Sequence, residues 1–495
     1  MSCNTPKSGE LIWNIGEADS LTNGLALAPG DYKEFLANDF GYEDRYFLIG
    51  RDDASKSFPY VLPGPADEWG GTWSTSGWRT HETNILFGID KMPNDGEWSL
   101  VIQVAERAQK KPPMLKVNIN NLQMEKWQLS PGANDSALVG KMEGSRADAW
   151  VIKIKPEVLR KGGNCITLSV LEGSWILFDH VRLEGPGGVK LTQPTQAFVR
   201  NVEAAAYSIN KDGELFQPLI VDVEHLEGTP NLTVELDGME IFEEKLDTAR
   251  YQFEAPMPAV EQETKSKYKV RVNGKSIASG QILRSPQPVH TPAHYVDTRI
   301  GTAHSRWMIA PGPWMPFSMV KISPDNQNRG WQAGYQPTFE SVGCFSHIHE
   351  WTMAGLGIMA TNGTLKTEVG DELDPDSGYR SRIDKKTEEA PLDYYKVKLE
   401  DYDILAEASA TSRCSFMRFT FPKERDSARI LIDLHVEAEY NYQLEEIEIK
   451  KVSDTRIEGF SHQLSKYVWS RDADQEYIVH FVIEFDQPIV SMGGW

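Results

Sequence analysis

A chain of 495 residues with 40% hydrophobic and 25% charged side chains is too long for one domain and apolar enough for roughly three ordinary cores. Its formal net charge of −21 argues against a nucleic-acid partner, whose phosphates need clustered Lys and Arg. No run approaches the roughly 20 apolar residues of a membrane-spanning helix.

The chain opens on "MSCNTPKSGE", where Ser2-Cys3-Asn4 looks like the end of a trimmed bacterial lipoprotein signal. This predicts lipid on Cys3 and an exported protein, periplasmic or on the surface of a bacterium; a chance cysteine is the alternative. The other cysteines, Cys165, Cys344 and Cys414, show no zinc spacing, and free buried thiols fit them better than a pairing of Cys344 with Cys414.

From residue 9 the dominant signal is alternation with period two, which marks half-buried strands. "MLKVNINN" puts Leu115, Val117 and Ile119 on one face, "WVIKIKP" does so with Trp150, Ile152 and Ile154, and "CITLSVLEG" with Ile166, Leu168 and Val170. The best helical pattern, around "QVAERAQKK", is short, so the chain reads as all-β. In "EWGGTWSTSGWRT", Trp69, Trp73 and Trp78 sit in a Gly/Ser-rich loop. Such tryptophans either stack on a flat apolar partner such as a sugar ring, with Arg79 or Asp67 holding hydroxyls, or plug the core of a sandwich.

The segments "IWNIGEAD", "DRYFLIGRDDASKSFPY", "KGGNCITLSV" and "FDHVRLEGP" resemble the jelly-roll C-terminal domain of family 4 polysaccharide lyases, the rhamnogalacturonan lyases, over residues 9–187. The resemblance implies a carbohydrate-binding-like module. The catalytic residues of those lyases lie in a different domain, so lyase activity is not implied.

Residues 185–196, "GPGGVKLTQPTQ", read as a linker. Beyond it, "LTVELDGMEIF" and "YKVRVNGKSIA" carry Asp237-Gly238 and Asn273-Gly274 between alternating runs, the mark of tight hairpins. Residues 188–288 therefore read as a small immunoglobulin-like sandwich. A second proline-rich break, "RSPQPVHTPAH", opens a third unit over 289–495, rich in aromatics and loop residues.

Within that unit "GCFSHIHEWTMAGLG" (343–357) packs two histidines, a glutamate and a tryptophan between glycines. If "CFSHIHEW" is extended, His347 and His349 share one face, opposite Ser346, Ile348 and Glu350. Two histidines alone do not make a zinc site, and the H-E-x-x-H pattern is not satisfied, so hydrogen-bonded histidines beside a glycine turn are the plainer reading. The metal question stays open.

In order, "HYVDTRIGT", "APGPWMPFSMVKISPDNQNRGWQAGYQP", "GCFSHIHEWTMAGLG", "YRSRIDKKTEEAPLDYYKVKL", "ILAEASATSRCSFMRFTFP" and "IEGFSHQLSKYVW" resemble the N-terminal β-sandwich of family 92 glycoside hydrolases, Ca2+-dependent exo-α-mannosidases. The family patterns YVDPFIGTG, PG-x-x-x-PFGM-x-x-xSPD, GY-x-Y and GFSH-x-HLSGTG are recognisable, with departures at Ala303, at Ser318 and over 349–357. The resemblance implies a sandwich that packs on an (α/α)6 barrel, with the glycan between them. Trp331 is the implied stacking platform, with Tyr335, His347 and His349 as lesser sugar-contact candidates, and Glu350-Trp351, in the variant loop, is where substrate specificity would differ. Both catalytic carboxylates and most of the Ca2+ setting would come from the barrel. Asp325 and Glu350 are the motif carboxylates left, and neither matches a catalytic position, so no catalytic residue is expected in this chain. The run "VIEFDQPIVSMGGW", still in β pattern, reads as a truncation before that barrel. Two rival readings are a stand-alone carbohydrate-binding or adhesion protein of three sandwiches and an accessory chain of a polysaccharide lyase system.

Overall fold

A computed structural model describes residues 9–41, 44–71, 79–93, 95–155, 157–300, 302, 310–326, 334–349, 355–424, 427–436, 442–466 and 474–495. Strands dominate it, and the one α-helix among the described residues is the four-residue turn Ala54–Ser57. The chain divides into two compact units, one of residues 1–70 with 81–293, the other of 71–80 with 294–495.

In the first unit a jelly roll pairs two antiparallel sheets. One runs in the order Glu10–Gly16, Ile176–Gly185, Trp98–Arg107, Asp148–Ile154. The other runs Lys190–Leu191, Glu82–Lys91, Gly162–Glu172, Met114–Ile119, Gln123–Gln128, with Tyr46–Leu48 joined in parallel to Glu82–Lys91. The alternation read from sequence holds: Leu115, Val117, Ile119, Ile152, Ile154, Ile166, Leu168 and Val170 all point into one core, with Trp150 packed against it. The helical reading of 103–111 does not hold. Gln103–Arg107 closes the strand Trp98–Arg107, because Leu100, Ile102 and Val104 alternate into the same core.

The second sandwich has the sheets expected of an immunoglobulin-like domain, with Glu214–His225 central in one and Asn231–Leu236 against Thr264–Val272 in the other. Its two hairpins turn on Asp237-Gly238 (φ 50° and 89°) and Asn273-Gly274 (φ 47° and 79°), the left-handed geometry that selects Asn-Gly and Asp-Gly. The two sandwiches form one unit rather than two because a small apolar cluster joins them: Leu48 and Leu86 of the jelly roll meet Phe198.

Among the described residues the second unit holds three sheets. Ser323–Asp325, Cys344–Ser346, Gly357–Thr361 and Arg429–Asp433 form one. Ser341–Val342, Ser381–Glu389, Tyr395–Leu399, Ile404–Ala410 and Ser415–Thr420 form the second, and Gln443–Lys451, Arg456–Ser465 and Gln475–Glu484 the third. The first two enclose a core of Ile322, Phe345, Tyr379, Tyr395 and Ile404, among others. Cysteines 165, 344 and 414 are free; Cys344 is buried, but Cys414 is exposed in the turn before Ser415–Thr420, so it is no core thiol.

Candidate functional site

The histidine segment starts from the strand Cys344–Ser346, which pairs antiparallel with Ser323–Asp325. That pairing sets the Asp325 carboxylate beneath the segment. It accepts the Ser346 backbone N–H at 3.1 Å and the Cys344 thiol at 3.3 Å, and its Oδ1 lies 3.7 Å from His349 Nε2. Burial raises the Asp325 pKa, opposed by His349 and the Ser346 hydrogen bonds.

The strand ends at Ser346, so the two histidines do not share a face as an extended segment would require. His349 folds back onto the Ser346 hydroxyl, 2.8 Å away, and packs against the Trp314 ring at 5.9 Å. His347 instead continues the ladder, its backbone N–H donating to Leu356 O at 3.0 Å. Its ring lies 3.1 Å from that same carbonyl through Nδ1 and 2.7 Å from Ser415 Oγ through Nε2. This pattern assigns the proton to Nδ1, with Nε2 accepting from the hydroxyl. Burial pushes the His347 pKa down to about 4, so the ring is neutral near pH 7.

Gly334 is the second anchor. Its φ of +85° favours glycine, and a Cβ there would stand 2.1 Å from Asp325 Oδ1 and 3.2 Å from His349 Cε1. Asn326, next to Asp325, donates its N–H to Gly334 O at 2.7 Å and exchanges side-chain bonds with the Gln336 backbone at 2.8 and 2.7 Å. The described ends of the segment 327–333 are thus pinned to the same centre as His349.

Tyr335 links this centre to a second buried cluster. Its hydroxyl donates to Glu388 Oε1 at 2.8 Å, as does Tyr395, also at 2.8 Å. Lys385 Nζ reaches Tyr335 Oη at 2.9 Å and Glu388 Oε2 at 2.7 Å, while Arg299, paired with Asp297 at 2.8 Å, stands 4.0 Å from Glu388. Burial alone would raise the Glu388 pKa, but Lys385 and the two tyrosines outweigh it and hold it below the ordinary value. Burial, then Glu388, raises both tyrosines well above theirs.

Sequence reasoning missed Glu388, Lys385 and Arg299. Tyr335 and Glu388 are 53 positions apart, and no spacing rule joins a GY pair to a KKTEE run. Trp331, Glu350 and Trp351 lie outside the described residues, as do Cys3, Trp73 and Trp78. Among the described residues no group of three or more His, Cys, Asp or Glu side chains is placed to hold a metal ion.

In the jelly roll, Trp69 sits in the short 3-10 turn Glu68–Gly70, packed edge-on against Tyr32 at 4.9 Å and Phe35 at 6.1 Å. The neighbouring Asp67 is buried, accepting from Gly64 N at 2.8 Å and Ser174 Oγ at 2.5 Å. Burial lifts the Asp67 pKa to about 6. Arg79 is half-buried.

Comparison with known proteins follows the same division. Residues 295–495 match the Glycosyl hydrolase family 92 N-terminal domain, and residues 11–183 match domain III of polysaccharide lyase family 4. No curated protein sequence matches the chain. Among solved structures, a family GH92 alpha-mannosidase from Bacteroides thetaiotaomicron is 28% identical over 41% of this chain and 26% of its own, with a TM-score of 0.36. The same enzyme in complex with mannoimidazole gives 28% identity over 40% and 26%, with a TM-score of 0.35. A beta-D-mannosidase from Dictyoglomus thermophilum gives 9% identity over 41% and 29%, with a TM-score of 0.16. The chain spans about a quarter of the length of the GH92 mannosidases it matches.

Proposed function

With residues 295–495 in the glycosyl hydrolase family 92 N-terminal class as premise, we propose that this chain is the carbohydrate-contacting part of an exo-α-mannosidase that works with an (α/α)6 catalytic domain. The observation that carries the reading is the paired anchoring of the motif segments on Asp325, Gly334 and His349. Inverting hydrolysis needs an acid and a base about 6.5–9.5 Å apart across the sugar. The buried carboxylates described here, Asp325 and Glu388, are instead bonded to their own neighbours, which suits an architectural role and leaves the acid and base to the catalytic domain. Trp331, Glu350 and Trp351 are then the sugar contacts, with Tyr335, His347 and His349 as further candidates. The Ca2+ that the resemblance implies would take its ligands mostly from the catalytic domain.

The test is a tryptophan-fluorescence titration with α-mannobiose. A saturable response in the wild type that Trp331→Ala abolishes is expected; an unchanged response in the variant removes Trp331 from the contact, and a silent wild type sinks the reading. Export as a lipoprotein belongs to the same proposal. Labelled palmitate should enter the chain expressed behind a lipoprotein signal and be absent from Cys3→Ala.

A further inference from the structure

The strand Ser381–Glu389 leaves its ladder before it ends. Asp384 pairs with Lys398 but Glu389 pairs with Lys396, so the residues between them bulge out. In regular alternation Lys385 and Glu388 would face opposite sides of the sheet, and a bulge re-aims side chains. Here it turns both to one side, with Lys385 Nζ 2.7 Å from Glu388 Oε2 and the Glu388 carboxylate buried.

Separate stretches of the second unit meet around that carboxylate. Tyr335 and Tyr395 both donate to its Oε1 at 2.8 Å, and Lys385 also reaches Tyr335 Oη at 2.9 Å. From the start of the unit, Thr298 Oγ1 donates to Ala390 O at 2.8 Å. That bond brings Arg299 to 4.0 Å from Glu388, with Asp297 paired to it at 2.8 Å. Lys385 and Arg299 balance Asp297 and Glu388, so the cluster is neutral as a whole while Glu388 stays ionised. A buried ion pair adds little stability over apolar packing of the same volume; what it adds is one fixed arrangement.

What the arrangement fixes is Tyr335, and with it Gly334. A Cβ on Gly334 would stand 2.1 Å from Asp325 Oδ1 and 3.2 Å from His349 Cε1, and its carbonyl takes the Asn326 N–H at 2.7 Å. Tyr335 cannot shift without moving Gly334 off that seat. We propose that Glu388 and Lys385 are positioning residues of the candidate site: acting through the Tyr335 hydroxyl, they hold Gly334 against Asp325 and His349. The inference rests on the mannoside reading for what the site takes, while the anchoring itself is read without a ligand.

The test uses the full chain and two readouts, amide exchange at Asn326 and calorimetric titration with α-mannobiose. Glu388→Gln, Tyr335→Phe and Lys385→Met should each speed Asn326 exchange by about tenfold and leave the strand Ile404–Ala410 as in the wild type. Each should also weaken α-mannobiose by about tenfold, the scale of one net hydrogen bond. Tyr335→Phe combined with Glu388→Gln should be no worse than either alone, because both cut the same path, and Lys385→Arg, which keeps the cation, should restore wild-type affinity. Tyr335→Phe keeps its ring in the core and carries the test if Glu388→Gln does not fold. Faster exchange throughout the unit with affinity unchanged would make the cluster core packing and overturn the proposal. Binding weakened by Tyr335→Phe alone would make Tyr335 a direct contact and also overturn it. A wild type that binds no α-mannobiose sinks the mannoside reading instead; Asn326 exchange then decides alone, unchanged rates overturning the anchoring and faster ones upholding it.

Discussion

Glu106 in the first unit and Asp325 in the second are both buried carboxylates at the end of a strand, and they are satisfied in different ways. Glu106 is wrapped by backbone: it accepts the N–H groups of Arg107, Asn134 and Arg146, each at 3.0 Å, and of Ala133 at 3.2 Å. Among the described residues Asp325 accepts one backbone N–H, that of Ser346, with the Cys344 thiol and the His349 imidazole beside it. Backbone donors are fixed, so the first arrangement dictates the shape of the loop 130–146. Side-chain partners can rotate, so the second leaves the local structure more freedom.

Isosteric amides should separate the two cases most sharply. Glu106→Gln turns an amide NH2 toward N–H groups that need an acceptor, and should cost the first unit about 3 kcal/mol, the scale of several charge-assisted bonds lost in a buried site. Asp325→Asn should cost about 1 kcal/mol, because burial already favours the uncharged form of that side chain. Denaturant titration followed by hydrogen exchange, read separately over the two units, measures both. Equal costs would erase the distinction.

The contributions of Asp67 and His347 should run in opposite directions with pH. Asp67 titrates at about 6 in the fold, above its ordinary 3.8, so its contribution is complete below about pH 4 and is lost as pH rises through 6. His347 titrates at about 4, below its ordinary 6.5, so its contribution is complete above about pH 6.5 and is lost as pH falls toward 4. Each is worth at most about 3 kcal/mol by the pKa displacement. As pH rises from 4 to 6 the Asp67 contribution to the first unit should fall and the His347 contribution to the second should grow, the latter offset in part by Asp325, whose raised pKa works the other way. Asp67→Asn should remove the downward contribution from the first unit and His347→Gln the upward one from the second, and a variant whose slope matches the wild type in the same exchange experiment would contradict the assignment.

The fold was largely legible because burial imposes period two directly on the residues that carry it: Leu115, Val117 and Ile119 could be assigned to one face without knowing what they face. The hairpins were legible for an equally local reason, the positive φ at Asp237 and Asn273. What escaped depends on long-range closure. "QVAERAQKK" is helical by composition and became strand because its flanking residues alternate into a shared core. The seam through Phe198 and the Glu388 cluster join segments that nothing in the local pattern connects. At the histidine segment the face assignment failed where the strand stops at Ser346 and His349 turns back.

The aromatic loop of the jelly roll carries the smallest and most discriminating effect. Its tryptophans could be a sugar platform or a core plug, and sequence does not separate the two because both want an indole in a Gly/Ser-rich loop. Trp69 meets Tyr32 and Phe35 edge-on, a geometry that uses the ring as packing. Trp69→Phe keeps an aromatic there and removes the indole's second ring, so it should cost about 1 kcal/mol of first-unit stability. As a plug, the substitution leaves oligosaccharide affinity as it was. A platform would behave the other way, losing affinity with little change in melting, because an exposed stacking ring contributes to the complex and not to the fold. Measuring both quantities on the one variant therefore decides whether Trp69 serves the fold or a ligand.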